Sequence, residues 1–319
     1  MSITRIYDDY TKSKKNNLGK YLFLKRLIGS LKNRVLYKFI KIATCSNDKL
    51  SNTIHTYYAS RKIAKKFSLE LSKEPEDFDE STQFPKIIWW SWLQGEEQAP
   101  ELAKMCLHSL RKELPDYDIK IVTMDNLADY IDLPQVIIDK FNAGWIAGAQ
   151  FADIIRLNLL ANHGGLWVDS TVYCTDNKLM KNIEHSSMFV FRNMLGIDRE
   201  YSALSSWFIA SKKGNPYIRE CAQLINKYFM EFTNLEDYFV CHLIMTLLSK
   251  KYSKLWNEMP VYNNVDPHML HMALIGECSF SKEYFYEATQ RASFHKLNRH
   301  VDTDNNECYL YLRERERQK

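Results

Sequence analysis

The chain has 319 residues, 45% of them hydrophobic and 26% charged, the make-up of an ordinary globular protein long enough to bury a large core. A formal net charge of +4 is too small to single out a polyanionic partner, and seven scattered cysteines form neither a CxxC pair nor a zinc spacing. That cysteine usage suits a reducing cytoplasm; no charge-free run approaches the roughly 18 to 20 residues that span a bilayer, and the amino terminus lacks a secretory pattern.

The charge is unevenly spread. Residues 11 to 41 hold ten basic side chains and no Asp or Glu. Within them, residues 20 to 43 carry a helical period that puts Leu24, Ile28, Leu31, Val35, Phe39 and Ile42 on one stripe. Lys25, Arg26, Lys32, Arg34, Lys38 and Lys41 fall outside it. A basic amphipathic helix of this kind either lies on an anionic membrane surface through residues 12–41 or docks on the protein's own core with a solvated basic face. Its aromatics lie among the apolar residues and form no separate stacking platform, so no nucleic acid is expected as a partner.

The acid-rich segment 71 to 83 reads as a linker, giving a helical amino-terminal unit over 1–80 and a second unit over 81–319. "FPKIIWWSWLQGEEQAP" then predicts a strand buried on both faces. A helix over 100 to 114 starting at a proline and an alternating strand over 117 to 127 complete a β-α-β opening with a parallel pair. "AGAQFADIIRLNLLANHGG" is a mostly apolar helix closed by Gly164 and Gly165, and a strand follows from Leu166. The carboxy-terminal half mixes a strand with two helices.

Asp153 and Arg156 stand three apart on one face of that apolar helix. In the next strand, alternation puts Trp167, Asp169 and Thr171 on one face. Both elements lead toward the carboxyl end of a strand, where open α/β sheets place ligands. The blander alternative is a structural Asp153–Arg156 pair with Asp169 capping a nearby amide.

These blocks, "FPKIIWWSWLQGEEQAPELAKMCLHSL", "YIDLPQVIIDKF" and "FADIIRLNLLANHGGLWVDSTVYCT", resemble the capsular polysaccharide synthesis glycosyltransferases, relatives of DXD-bearing sugar transferases such as yeast α-mannosyltransferases and clostridial glucosylating toxins. "WFIASKKGNP", "EDYFVCHL" and "HKL" are similar to later family blocks, and the resemblance runs from about 84 to about 300. It implies an α/β, GT-A type, Rossmann-like nucleotide-sugar domain preceded by a mostly helical appendage. On matching positions, Trp92 would stack on uracil, with Trp90 as the other candidate; core packing competes for both. Asp153 and Arg156 would bind hydroxyls of the donor sugar.

Asp169 matches the first acid of the DXD motif, beside the ribose and a Mn2+ or Mg2+ ion, and Thr171 stands where the second acid is expected. A threonine hydroxyl is a poorer ligand for a hard cation than a carboxylate, so a weakened metal site or a cationic side chain in its place are both open. The resemblance puts His295 and Lys296 near the family's carboxy-terminal loop, which closes over the diphosphate, although a lone His is more readily structural. Asp237 and His242 would face the acceptor, with Asp237 as a base for its hydroxyl, unless Asp237 simply meets solvent.

The activity so implied is transfer of a hexose from a UDP-sugar to a lipid-linked oligosaccharide, with retention, at the cytoplasmic face of the membrane. The alternatives are a non-catalytic nucleotide- or sugar-binding protein on the same scaffold, which Thr171 favours, and a toxin-like transferase acting on a protein.

Overall fold

A computed structural model describes residues 3–73, 75–79, 81–193, 202–301 and 305–317. The helical start comprises α1 (Ile3–Lys15), α2 (Lys20–Ala43), α3 (Asp48–Lys66) and the single turn α4 (Ser68–Leu71). Next come β1 (Ile87–Ser91), α5 (Glu101–Glu113), β2 (Asp118–Val122), α6 (Leu127–Tyr130), α7 (Gln135–Asn142), α8 (Gly148–His163), β3 (Gly165–Val168) and β4 (Val172–Cys174). These are followed by α9 (Lys178–Ile183), β5 (Met188–Arg192), β6 (Leu204–Ser211), α10 (Pro216–Glu231) and α11 (Val240–Lys251). The chain closes with α12 (Ser253–Glu258), α13 (Met269–Leu274), α14 (Lys282–Arg291), β7 (Phe294–Lys296) and α15 (Glu307–Arg317).

Five strands form a sheet in the order β2-β1-β3-β6-β5. β1 runs parallel to β2 and β3; β6 is antiparallel to both β3 and β5. The expected β-α-β opening is therefore present. The continuous apolar character of "IIWW" has its cause in burial on both sheet faces, since Ile88, Trp89 and Trp90 are all buried. β6 is buried along its whole length between β3 and β5, and α8 and α10 pack together beside it. α10 starts where the Asn215 side chain accepts the Ile218 N–H at 3.2 Å and Pro216 takes the first turn. This mixed α/β layout behind a helical appendage is consistent with the GT-A type.

The stretch after the double glycine is not one continuous strand. β3 ends at Val168; the Asp169 N–H still reaches the Trp207 carbonyl at 2.9 Å, but the Val172 N–H turns back to the Asp169 carbonyl at 3.1 Å. The chain leaves the main sheet at this turn and re-forms as β4, paired antiparallel with β7 in a separate two-stranded sheet. Asp169 and Thr171 are thus neighbours across a turn, rather than by alternation along a strand.

Two glycines make the helix-to-strand corner possible. Gly164 and Gly165 have φ of +69° and +93°, and a Cβ on Gly165 would lie 2.7 Å from the Ile87 carbonyl oxygen in β1. Gly165→Ala is expected to cost at least about 2 kcal/mol, from left-handed strain plus separation of β3 from β1. A urea-unfolding midpoint equal to that of the parent would contradict this close approach.

The helical start is not a separate body. Ala59 and Ile63 of α3, and Phe67 just after it, enter the same core as the sheet, and the segment after α4 is tied back by an ion pair between Glu76 and Arg219. Residues 74 and 80 of the expected linker lie outside the described residues. α2 docks through Phe23 and Ile40, which are buried, and leaves Leu24, Ile28, Leu31, Val35, Phe39 and Ile42 exposed.

Candidate active site

The carboxyl ends of β1 and β3 open onto a cleft of about 730 Å3. The end of β1 and the residues just after it line the cleft at 91 to 94, α8 delivers Asp153 and Arg156, and the turn after β3 delivers Asp169 and Thr171. Because β6 runs antiparallel, its early residues Ser206 and Trp207 meet the end of β3 at the same place. β7 supplies Lys296.

Arg156 is the hub. Its Nη1 lies 3.0 Å from Asp153 Oδ1 and donates to the Ser206 carbonyl at 2.7 Å and to the Ser206 hydroxyl. Its Nη2 donates to Asp169 Oδ1 at 3.0 Å, and the guanidinium sits 5.2 Å from the centre of the Trp167 ring. The Trp167 indole N–H donates to the same Asp169 oxygen at 2.9 Å. Asp169 Oδ2 faces the other way and accepts from Lys296 Nζ at 3.0 Å; that ammonium also reaches the Thr171 hydroxyl at 2.7 Å. Two cations and an indole thus partner the acid that follows the apolar strand.

Charge follows from that arrangement. Burial works against ionisation of Asp169, but Lys296 and Arg156, with the hydrogen bonds from Trp167 and Lys296, hold its carboxyl below the usual range. For Asp153 burial prevails over attraction to Arg156, and repulsion from Asp169 adds to it, so that its pKa is pushed up to about 6. Asp153 and Arg156 lie deep, with side chains 10% and 6% exposed, whereas Asp169 and Lys296 keep 23% each open to the cleft. A ligand would meet the second pair first.

Trp92 lies just past the last residue of β1 and lines the cleft, with the Arg299 guanidinium 5.2 Å from its ring centre. Trp90 does not reach the cleft. It lies inside the strand, where sheet and helices cover it completely. Lys296 and His295 separate in the same manner: adjacent residues of β7 face opposite sides. Lys296 enters the cleft, while His295 is fully buried, with Nε2 3.3 Å from the Thr175 hydroxyl and burial lowering its pKa to about 3. His295 is a neutral core residue here.

Asp237 also lies outside the cleft. Its Oδ2 accepts from the Thr56 hydroxyl at 2.8 Å, with His55 Nδ1 at 3.5 Å, and its Oδ1 accepts the Phe239 N–H at 2.8 Å. It fastens α3 to the loop before α11, so it is committed to structure and not to an acceptor hydroxyl. Its neighbours Tyr238 and His242 do line the cleft, and burial lowers the His242 pKa to about 4, leaving a neutral imidazole.

Sequence reasoning missed Ser206, Trp207, His268, His271 and Arg299, all of which line the cleft. Only Arg299 had a local signal, its place in "KLNRH" beside Lys296. The others reach the site through an antiparallel strand and the region of α13, which no local pattern ties to "WVDST".

The carboxylates of the cleft among the described residues are Asp153 and Asp169, each bound to Arg156 and one also to Lys296. No three His, Cys, Asp or Glu side chains converge among the described residues. This donor set does not fit a Mn2+ or Mg2+ ion, which favours several free oxygen ligands. It fits an anion received by Lys296 and neutral hydroxyls received by the acid–arginine array.

Together these features define an α/β protein with a cleft of paired charges at the carboxyl ends of parallel strands, the place where open α/β sheets receive ligands. The chain belongs to the capsular polysaccharide synthesis protein family, whose model matches residues 40–314. The match begins well before residue 84, where the sequence motifs start. O-glycosyltransferase braB of Annulohypoxylon truncatum is 23% identical over 171 residues, 48% of this chain and 40% of that protein, so the chain spans about two fifths of this relative's length. Among solved structures, PaToxG Glycosyltransferase matches at 18% identity and a TM-score of 0.40, covering 64% of this chain and 83% of that one. The homology is to glycosyltransferases, as the "FADIIR…NHGGLWVDSTV" block implied.

Proposed function

We propose that the protein transfers a hexose from a UDP-sugar to a hydroxyl of a lipid-linked oligosaccharide, with retention at the anomeric carbon. One observation carries the reading: Lys296 Nζ lies between Asp169 and Thr171, at 3.0 and 2.7 Å, at the open side of a cleft whose far wall is Arg156. When UDP departs, negative charge develops on its outer phosphate, and a fixed cation there lowers the barrier. Lys296 lines the cleft and is the cation we assign to that phosphate. Asp169, Asp153 and Arg156 then bind sugar hydroxyls through charge-assisted hydrogen bonds, and Trp92 offers a ring on which the base stacks, worth about 1 to 3 kcal/mol.

Double displacement needs a carboxylate poised as a nucleophile under the anomeric carbon. Asp153 and Asp169 are both engaged with Arg156, which supports departure and attack on the same face of the sugar. In that step the anomeric carbon–phosphate oxygen bond breaks as the bond to the acceptor oxygen forms, and the acceptor proton passes to the departing phosphate. Catalysis then follows mainly from positioning.

The test is release of UDP by purified protein over a panel of UDP-hexoses, with EDTA or with Mn2+. Cleavage of at least one donor, little changed by EDTA and abolished in Asp169→Ala, is the expected result. No binding of any UDP-sugar would overturn the reading; a strict Mn2+ requirement would overturn the role given to Lys296.

A further inference from the structure

The helix α2 docks by the wrong face for a soluble protein. Phe23 and Ile40 are buried beneath it, Tyr37 and Lys41 reach Asn52 and Asp48 of α3, and Arg26, Gly29 and Ser30 meet the loop after α10. Arg26 donates to the Thr233 carbonyl at 2.9 Å and lies 4.9 Å from the Trp145 ring centre. The Asn234 side chain reaches the Arg26 carbonyl at 3.0 Å and the Ser30 hydroxyl at 2.8 Å. A Cβ on Gly29 would lie 2.6 Å from Asn234 Oδ1, so the small residue permits the close approach. On the opposite side of the helix stands the apolar stripe, with Ile28, Leu31, Phe39 and Ile42 exposed by 57%, 65%, 67% and 75%.

A row of large apolar side chains turned to water needs an occupant. Lysines border the stripe on both sides. Lys20 and Lys38 lie along one edge and Lys25 and Lys32 along the other, all exposed, and no acid occurs from 11 to 41. We propose that α2 lies flat in an anionic lipid surface, its apolar stripe among the acyl chains and its bordering lysines on the headgroups. A second copy is disfavoured by the same charges, since pairing two such faces sets lysine rows against each other with no acid to neutralise them. The site lies mostly ahead of the family match at 40–314 and does not rest on the transfer chemistry. Its position does relate to the cleft. Trp145 and Thr233 touch the helical start, while Gly148 and Tyr238, three and five residues further along, line the cleft. A surface-bound α2 would hold one rim of the cleft near the bilayer.

Flotation of the full-length protein with vesicles of phosphatidylcholine and phosphatidylglycerol in equal parts, beside pure phosphatidylcholine, tests this. Binding to the anionic vesicles is expected, weakened roughly fivefold for each of Lys20, Lys25, Lys32 and Lys38 changed to Gln, and weakened by added salt. The double variant Leu31→Ser/Phe39→Ser should lose it while keeping the parent's thermal unfolding midpoint, because both side chains are exposed. Equal flotation of that variant and the parent, or no flotation of the parent, would overturn the proposal. So would a concentration-dependent dimer that the double variant abolishes in the absence of vesicle binding.

Discussion

Lys296→Met is expected to lower the rate of UDP release by about 100- to 1000-fold, the cost of removing one preorganised charge from a developing anion. The effect should fall on kcat and leave KM nearly unchanged, because Lys296 meets the departing phosphate most strongly in the transition state. The fold should survive, since Lys296 is partly open to the cleft and Asp169 keeps Arg156 and the Trp167 indole as partners. Lys296→Arg retains the charge but changes its reach, so partial recovery separates electrostatics from packing. A Met variant turning over at the parental rate would show that another group carries the charge of the leaving diphosphate.

Arg156→Met should destabilise the protein by about 3 to 5 kcal/mol, because it leaves buried carboxylates without the cation between them. Asp153 sets the sign of the accompanying pH effect. Its folded pKa, about 6, stands above the ordinary value of 3.8, so the folded state binds more protons than the unfolded state between those values. Its contribution to stability therefore falls as pH rises through that window, and Asp153→Asn should remove the dependence. In the double variant Arg156→Met/Asp153→Asn, part of the loss should be recovered, a non-additivity that direct contact predicts. Urea unfolding of the two single variants and the double variant measures all of these. Additive losses would mean that Arg156 and Asp153 are held by other forces.

The two expectations concern the same array, and much of that array could be read from the chain. Asp153 and Arg156 announce themselves by a helical spacing in an apolar helix, and Gly164 and Gly165 mark where that helix must stop. The charged residues of an apolar segment need partners, which made Asp169 conspicuous. Trp92 against Trp90, and Lys296 against His295, could not be decided in that way. Each pair sits within two residues, and what separates them is where a strand ends or which of its faces the neighbouring sheet covers. Asp237 was a candidate base only through the resemblance of "EDYFVCHL" to a family block; its partners, Thr56 and His55, come from a helix about 180 residues away in sequence.

Local periodicity, chain punctuation and charge distribution were enough to establish the β-α-β opening, the acid–arginine helix and the basic amphipathic segment, because these depend on neighbours within a few residues. Tertiary structure alone decided that the "WVDST" strand breaks into a turn, that Lys296 reaches Asp169 from 127 residues away, and that α2 turns its apolar stripe outward. Each of those outcomes depends on which distant element covers a given face, and the period of a segment identifies a face without naming what lies against it.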